Sequence, residues 1–208
     1  MDEVLRRAEE RRRRALDVIE TLGLFERWSR YGSPVIVGSV RLGLVVALDI
    51  DMHIYTDAPR IEHGFSVMSK LAVLPGVWKI YFSNELDARA CTNERAREHQ
   101  GLYWQIRYRD QIGDVWKVDN WLMAWDHPHA HWAEEFADAM QKALTDQTRR
   151  TILEIKEALL SADVEPRARA GIDIYRAVLE GGVRRPSEFT QWIAEHQKQG
   201  ATHWRPST

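Results

Sequence analysis

The residues able to do chemistry in this sequence gather between Val35 and Asp57. An apolar run, Val35-Ile36-Val37, ends in Gly38-Ser39. Ten positions after Ser39 comes Asp49-Ile50-Asp51, at the head of a second strand-like run. Side chains alternate along a strand, so Asp49 and Asp51 point to one face. Two adjacent carboxylates repel each other unless something cationic sits between them. A hard divalent ion such as Mg2+ takes oxygen ligands of this kind. Gly38 lets backbone approach a phosphate closely, and Ser39 adds a hydroxyl and an N–H donor. The combination suits a nucleoside triphosphate and its metal.

An apolar strand, Gly-Ser, a short helix and then Asp-x-Asp on the next strand resembles the signature of the nucleotidyltransferase superfamily, the DNA polymerase beta-like fold. Its small single-chain members include enzymes that modify antibiotics. The resemblance implies a third carboxylate on a later strand, and Asp119, within Val115–Leu122, is the candidate. It implies that Asp49, Asp51 and Asp119 are the catalytic residues and the ligands of Mg2+, with two ions expected. Gly38 and Ser39 would hold the triphosphate of an NTP co-substrate such as ATP. Arg41, Lys79 and Arg107 would contact it or balance developing charge; Arg41 equally reads as a merely exposed side chain. Asp119 would accept the proton of the attacking hydroxyl, and pyrophosphate would leave.

The implied fold class is α+β: a mixed, largely antiparallel five-stranded sheet with helices on one face, followed by an α-helical C-terminal region. A catalytic domain over 1–128, including an N-terminal helix over 2–30, and a helical region over 129–208 are expected. The implied function is Mg2+-dependent transfer of a nucleoside monophosphate to a hydroxyl. The competing reading is a non-catalytic protein of the same fold that acts through nucleotide or partner binding.

Composition narrows the acceptor. A chain of 208 residues with 44% hydrophobic residues can bury a proper core. A net charge of -2 argues against broad nucleic-acid binding by charge. A small hydroxyl-bearing acceptor is therefore expected ahead of a nucleic-acid partner, with a tRNA or a protein acceptor left open. The single cysteine, Cys91, excludes an internal disulfide and fits a cytoplasmic setting. No apolar run approaches the ~18 residues of a membrane helix, and no signal peptide is evident. Nine tryptophans are many for this length. They read as core and surface aromatics, or in part as walls of a base pocket.

The elements that must position the acids follow from periodicity. Residues 2–30 read as one or two helices, with the arginines of Arg6–Arg14 on a solvated face paired to glutamates. A turn over Tyr31–Pro34 feeds the first strand, and a short helix starts near Val40. Asp49–Thr56 is a strand and Arg60–Leu74 a helix stopped by Pro75-Gly76. In Val77–Ser83, Trp78, Ile80 and Phe82 face one way, with Lys79, Tyr81 and Ser83 opposite. A polar connection spans 84–100. Leu102–Arg109 and Val115–Trp125 form a hairpin around Asp110–Asp114. One sheet face would carry Asp49, Asp51, Asp119, Lys79, Gln105 and Arg107 together. His53 reads as a wall residue beside the acids. Asp126–His131, with three alternating histidines, reads as a polar loop or as ligands of Zn2+ in a hydrolase. Helices follow over Trp132–Leu144, Asp146–Leu160, Arg167–Glu180 and from Pro186 to about Gln197.

Overall fold

A computed structural model describes residues 2–87, 101–161, 171–196 and 204–206. Residues 88–100 of the expected connection, with Cys91, and the start of the expected helix over Arg167–Glu180 lie outside these residues. The described elements are α1 (Glu3–Thr21), α2 (Leu24–Trp28), β1 (Ser33–Val37), α3 (Gly38–Leu42), β2 (Asp49–Thr56), α4 (Ile61–Leu71), β3 (Val77–Asn84), β4 (Leu102–Arg109), β5 (Val115–Ala124), α5 (Trp132–Ala143), α6 (Asp146–Ser161), α7 (Gly171–Leu179) and α8 (Pro186–His196). The chain divides into two units. One comprises Arg13–Arg41 and Leu48–Glu134; the other comprises Met1–Arg12, Leu42–Ala47 and Glu135–Thr208. Among the described residues no helix is long and apolar enough to cross a membrane.

The first unit is built on a mixed five-stranded sheet of order β1-β2-β5-β4-β3. All neighbours are antiparallel except β2 and β5, which are parallel. The fold is α+β, as the sequence implies. One row across the sheet runs Ile36, Met52, Asn120, Trp104, Phe82, and its β2, β5 and β4 members are wholly buried. This is the packed face. Gly64 of α4 lies so close to Trp104 that a Cβ there would run into the indole ring. The only polar member of the row, Asn120, accepts from Trp28 Nε1 of α2 at 2.9 Å and donates to the Val118 and Trp104 carbonyls. A buried amide is tolerated only when its bonds are made in this way.

The β4–β5 hairpin closes as expected, and an arginine of α1 clamps its turn. Arg14 binds Asp110 and Asp114 at 2.6 and 2.7 Å, so this member of the arginine run is not merely solvated. Others do pair with nearby acids on α1: Arg6 with Glu3 and Arg13 with Asp17. At the far edge, the β3–β4 register shifts between Val77 and Lys79. Trp78 falls in that irregularity and stays 59% exposed, instead of joining Ile80 and Phe82. A bulge re-aims a side chain in this way.

The second unit is helical. α6, α7 and α8 pack around Ile152, Ile155, Ile174, Val178 and Phe189, all buried. Glu157 receives both Arg7 and Arg11, and Lys156 donates to the Leu44 carbonyl at 2.6 Å.

Candidate active site

The parallel pairing of β2 with β5 assembles the acids. Its register sets Asp51 opposite Asp119 and Asp49 opposite Lys117. Period-two alternation then puts all four on the face opposite the packed one. One ligand oxygen from each of Asp49, Asp51 and Asp119 lies within 4.8 Å of the others. Among the described residues this is the one group of three or more such ligands. The His127 and His129 rings are tilted against each other with centroids 5.6 Å apart, and His131 Nδ1 lies 3.3 Å from Glu134. The geometry does not gather the histidines into the alternative metal site.

Two residues that the sequence left without a role bind the acids. Lys117 Nζ lies 3.0 Å from Asp49 Oδ2 and 2.9 Å from Asp119 Oδ2. Burial alone would lower its pKa, but the two carboxylates outweigh burial and hold the ammonium well above its ordinary value. Tyr103 donates from Oη to Asp119 Oδ1 at 2.9 Å. Burial, then the Asp119 charge, push this phenol up, so it stays a donor. Behind it, Gln105 Nε2 donates to Tyr103 Oη at 2.8 Å, and Arg107 Nε to Gln105 Oε1 at 3.1 Å. Lys-x-Asp in β5 was the available signal for Lys117, because the two share a face. Nothing in the sequence pairs Tyr103 with Asp119, since that contact depends on strand register.

Asp49 shows what the site lacks by itself. Its Oδ1 is buried and has no hydrogen-bond partner. Burial pushes its carboxyl above the ordinary value, with Lys117 opposing. A buried, unpartnered carboxylate oxygen beside two further carboxylates is a donor set suited to a hard divalent cation.

The remaining sequence candidates sit around this centre. Gly38 follows Val37, which pairs with Asp51. It has φ 64, and a Cβ there would run into the Asp51 carboxylate. Glycine is therefore demanded by backbone conformation and by the acid itself. α3 opens at Gly38, two residues before the expected start, and carries Ser39 and Arg41. Arg41 acts electrostatically on Tyr55. Lys79 lies farther out, exposed on β3, opposite Arg107, which in turn lies opposite Lys117. His53, the expected wall residue, bonds with Tyr55 Oη at 3.2 Å.

No protein-family model and no curated protein sequence matches the chain. Solved structures do. A cytoplasmic RNA terminal U-transferase superposes with TM-score 0.53 at 13% identity, over 86% of this chain and 51% of that one. Cid1, an RNA terminal uridylyl transferase, gives 0.49 at 15% identity over 73% and 40%. The GLD-2/RNP-8 complex gives 0.47 at 13% identity over 100% and 66%. This chain spans about half the length of the U-transferase. The chain has the nucleotidyltransferase fold, of the DNA polymerase beta-like kind. The expectation against a nucleic-acid partner is corrected here, because a protein of this fold acts on RNA. A net charge of -2 averages over the whole chain and does not report where Lys79 and Arg107 lie.

Proposed function

We propose that the chain is a Mg2+-dependent nucleotidyltransferase that moves a nucleoside monophosphate from an NTP to a hydroxyl of an RNA end. The observation that carries this reading is the convergence of Asp49, Asp51 and Asp119 around the unpartnered Asp49 Oδ1. These three residues would hold the metal, which when bound supplies charge stabilisation to the oxygens of the phosphate under attack. Asp119 takes the proton of the attacking hydroxyl. Tyr103 keeps its carboxylate in place through Oδ1. Gly38 and Ser39 offer backbone N–H groups and a hydroxyl to the triphosphate. Arg41, Arg107 and Lys79 are the cations available to its negative charge. Attack on the α-phosphorus forms the new ester and breaks the bond to pyrophosphate. The small-molecule acceptor expected from size and acidity gains no support from the site, whereas the fold neighbour's action on RNA favours an RNA end.

The test is incubation of the chain with Mg2+, each NTP and a short RNA, followed by product sizing and pyrophosphate detection. Extension that Asp119→Asn abolishes, with folding unchanged by circular dichroism, is expected. Extension at the wild-type rate in Asp119→Asn would remove that residue from the mechanism. Mg2+-dependent NTP binding without transfer to any acceptor would favour the non-catalytic reading.

A further inference from the structure

If Asp119 takes a proton from the acceptor, the acceptor must cover the sheet beside it. That part of the open face is aromatic. Tyr103 pairs with Trp121 across β4 and β5, with ring centroids 4.7 Å apart. Tyr81 of β3 follows at 6.2 Å from Tyr103 and is 52% exposed. Tyr81 shares a row with Asp119 across Gln105, and Tyr103 and Trp121 form the next row, so the rings flank the acid on two sides. One register step away run Lys79 and Arg107. Lys79 is exposed and makes no hydrogen bond or ion pair among the described residues.

We propose that Tyr81, Tyr103 and Trp121 form a stacking platform for the terminal bases of a single-stranded RNA acceptor, with Lys79 and Arg107 beside it for the phosphates. This rests on the transfer reading above and names the surface that receives its acceptor. Every nucleobase has a π face, so ring stacking tolerates any sequence, and adjacent cations complement the backbone. Three neighbouring rings, inclined to one another by 61° and 35° across two rows, offer faces to more than one base. The hydroxyl of Tyr103 ties one ring to Asp119, so a base stacked there brings its own sugar hydroxyl to the proton acceptor. A duplex hides its base faces and cannot use the platform.

The experiment is fluorescence anisotropy of an end-labelled single-stranded RNA with the full chain, compared with Tyr81→Leu and Tyr81→Phe. Tyr81→Leu should weaken binding roughly five- to a hundredfold, the effect of losing one base–ring stack, while Tyr81→Phe stays within about twofold of wild type. A blunt RNA duplex should compete poorly. Absence of binding by wild type, equal binding by Tyr81→Leu, or equal competition by duplex would each overturn the platform. Mg2+–NTP binding, measured in parallel by calorimetry, reads the transfer function separately. If it persists while the RNA arms fail, only the platform falls; if it is missing, the transfer reading falls on its own account.

Discussion

Lys117 bridges Asp49 and Asp119, two of the three acids that would hold a divalent ion. Its ammonium makes two charge-assisted bonds there. Such bonds are stronger than neutral ones, and without them the acids would repel one another. A metal held by these acids would compete with the ammonium for their charge. Removing the ammonium removes this competitor and leaves the acids uncompensated. Lys117→Met should therefore bind Mn2+ about tenfold more tightly, ~1.4 kcal/mol, by electron paramagnetic resonance titration. The same variant should melt lower than wild type without metal and gain more from added Mg2+. Unchanged or weaker Mn2+ affinity would mean that Lys117 stands clear of the bound ion. At this scale the sequence showed the acids, because Asp-x-Asp is a local pattern. It did not show the bonds of Lys117 and Tyr103, because those depend on which strands lie side by side. Gly38 was legible as a residue needed for close approach. The thing it approaches within the chain is Asp51, which the sequence reading did not anticipate.

Among the elements, the β4–β5 hairpin holds Asp119 in register with Gln105, and its turn is where that register is fixed. Asp110 is the centre of the turn. Its carboxylate accepts from the Asp114 and Ile112 N–H groups, Trp116 Nε1 and Arg14. Burial alone would raise its pKa, but the bonds from Trp116, Arg14 and the Asp114 backbone outweigh it and hold the group below its ordinary 3.8. Asp110→Asn should cost about 1–2 kcal/mol at neutral pH, judged from the worth of hydrogen bonds to a charged group. The sign in pH follows from the depressed value. The contribution is fully present above 3.8 and is lost as pH falls through the lower folded-state value. Urea unfolding of wild type and variant should differ at pH 7 and draw together as the pH falls below 3.8 and through the lower folded-state value. A gap that stays constant with pH would mean that the turn is held by its backbone and not by the Asp110 charge. The hairpin, all five strands and most helices were legible because each follows a short-range period or a turn signal. Three features were not. The parallel β2–β5 pair joins segments separated by α4, β3 and β4. The irregularity at Trp78 breaks the alternation that the reading relied on. Asn120 lies on a packed face that sequence reads as apolar, where the Trp28 indole and the Val118 and Trp104 carbonyls satisfy its amide.

For the whole molecule, charge limits how the proposed RNA end could be held. The chain carries 29 basic and 31 acidic residues, so no general attraction draws in a polyanion. Affinity must then come from few phosphates and from stacking. Lys79 and Arg107 are the cations beside the rings, and Lys117 is committed to the acids. Each phosphate neutralised on a single strand contributes about 0.7 to the fall of log affinity with log salt. Two contacts give a slope near -1.4, far shallower than that of a protein with a broad basic surface. Lys79→Ala should reduce the slope by about 0.7 and lower affinity at 50 mM salt more than at 200 mM. Tyr81→Leu should lower affinity by the same factor at both, because stacking releases no counterions. A wild-type slope several units steeper would place most of the phosphate contacts outside this row. An unchanged slope in Lys79→Ala would remove Lys79 from the path of the strand. Since the two variants act on different terms, their effects separate the electrostatic share of the affinity from the stacking share.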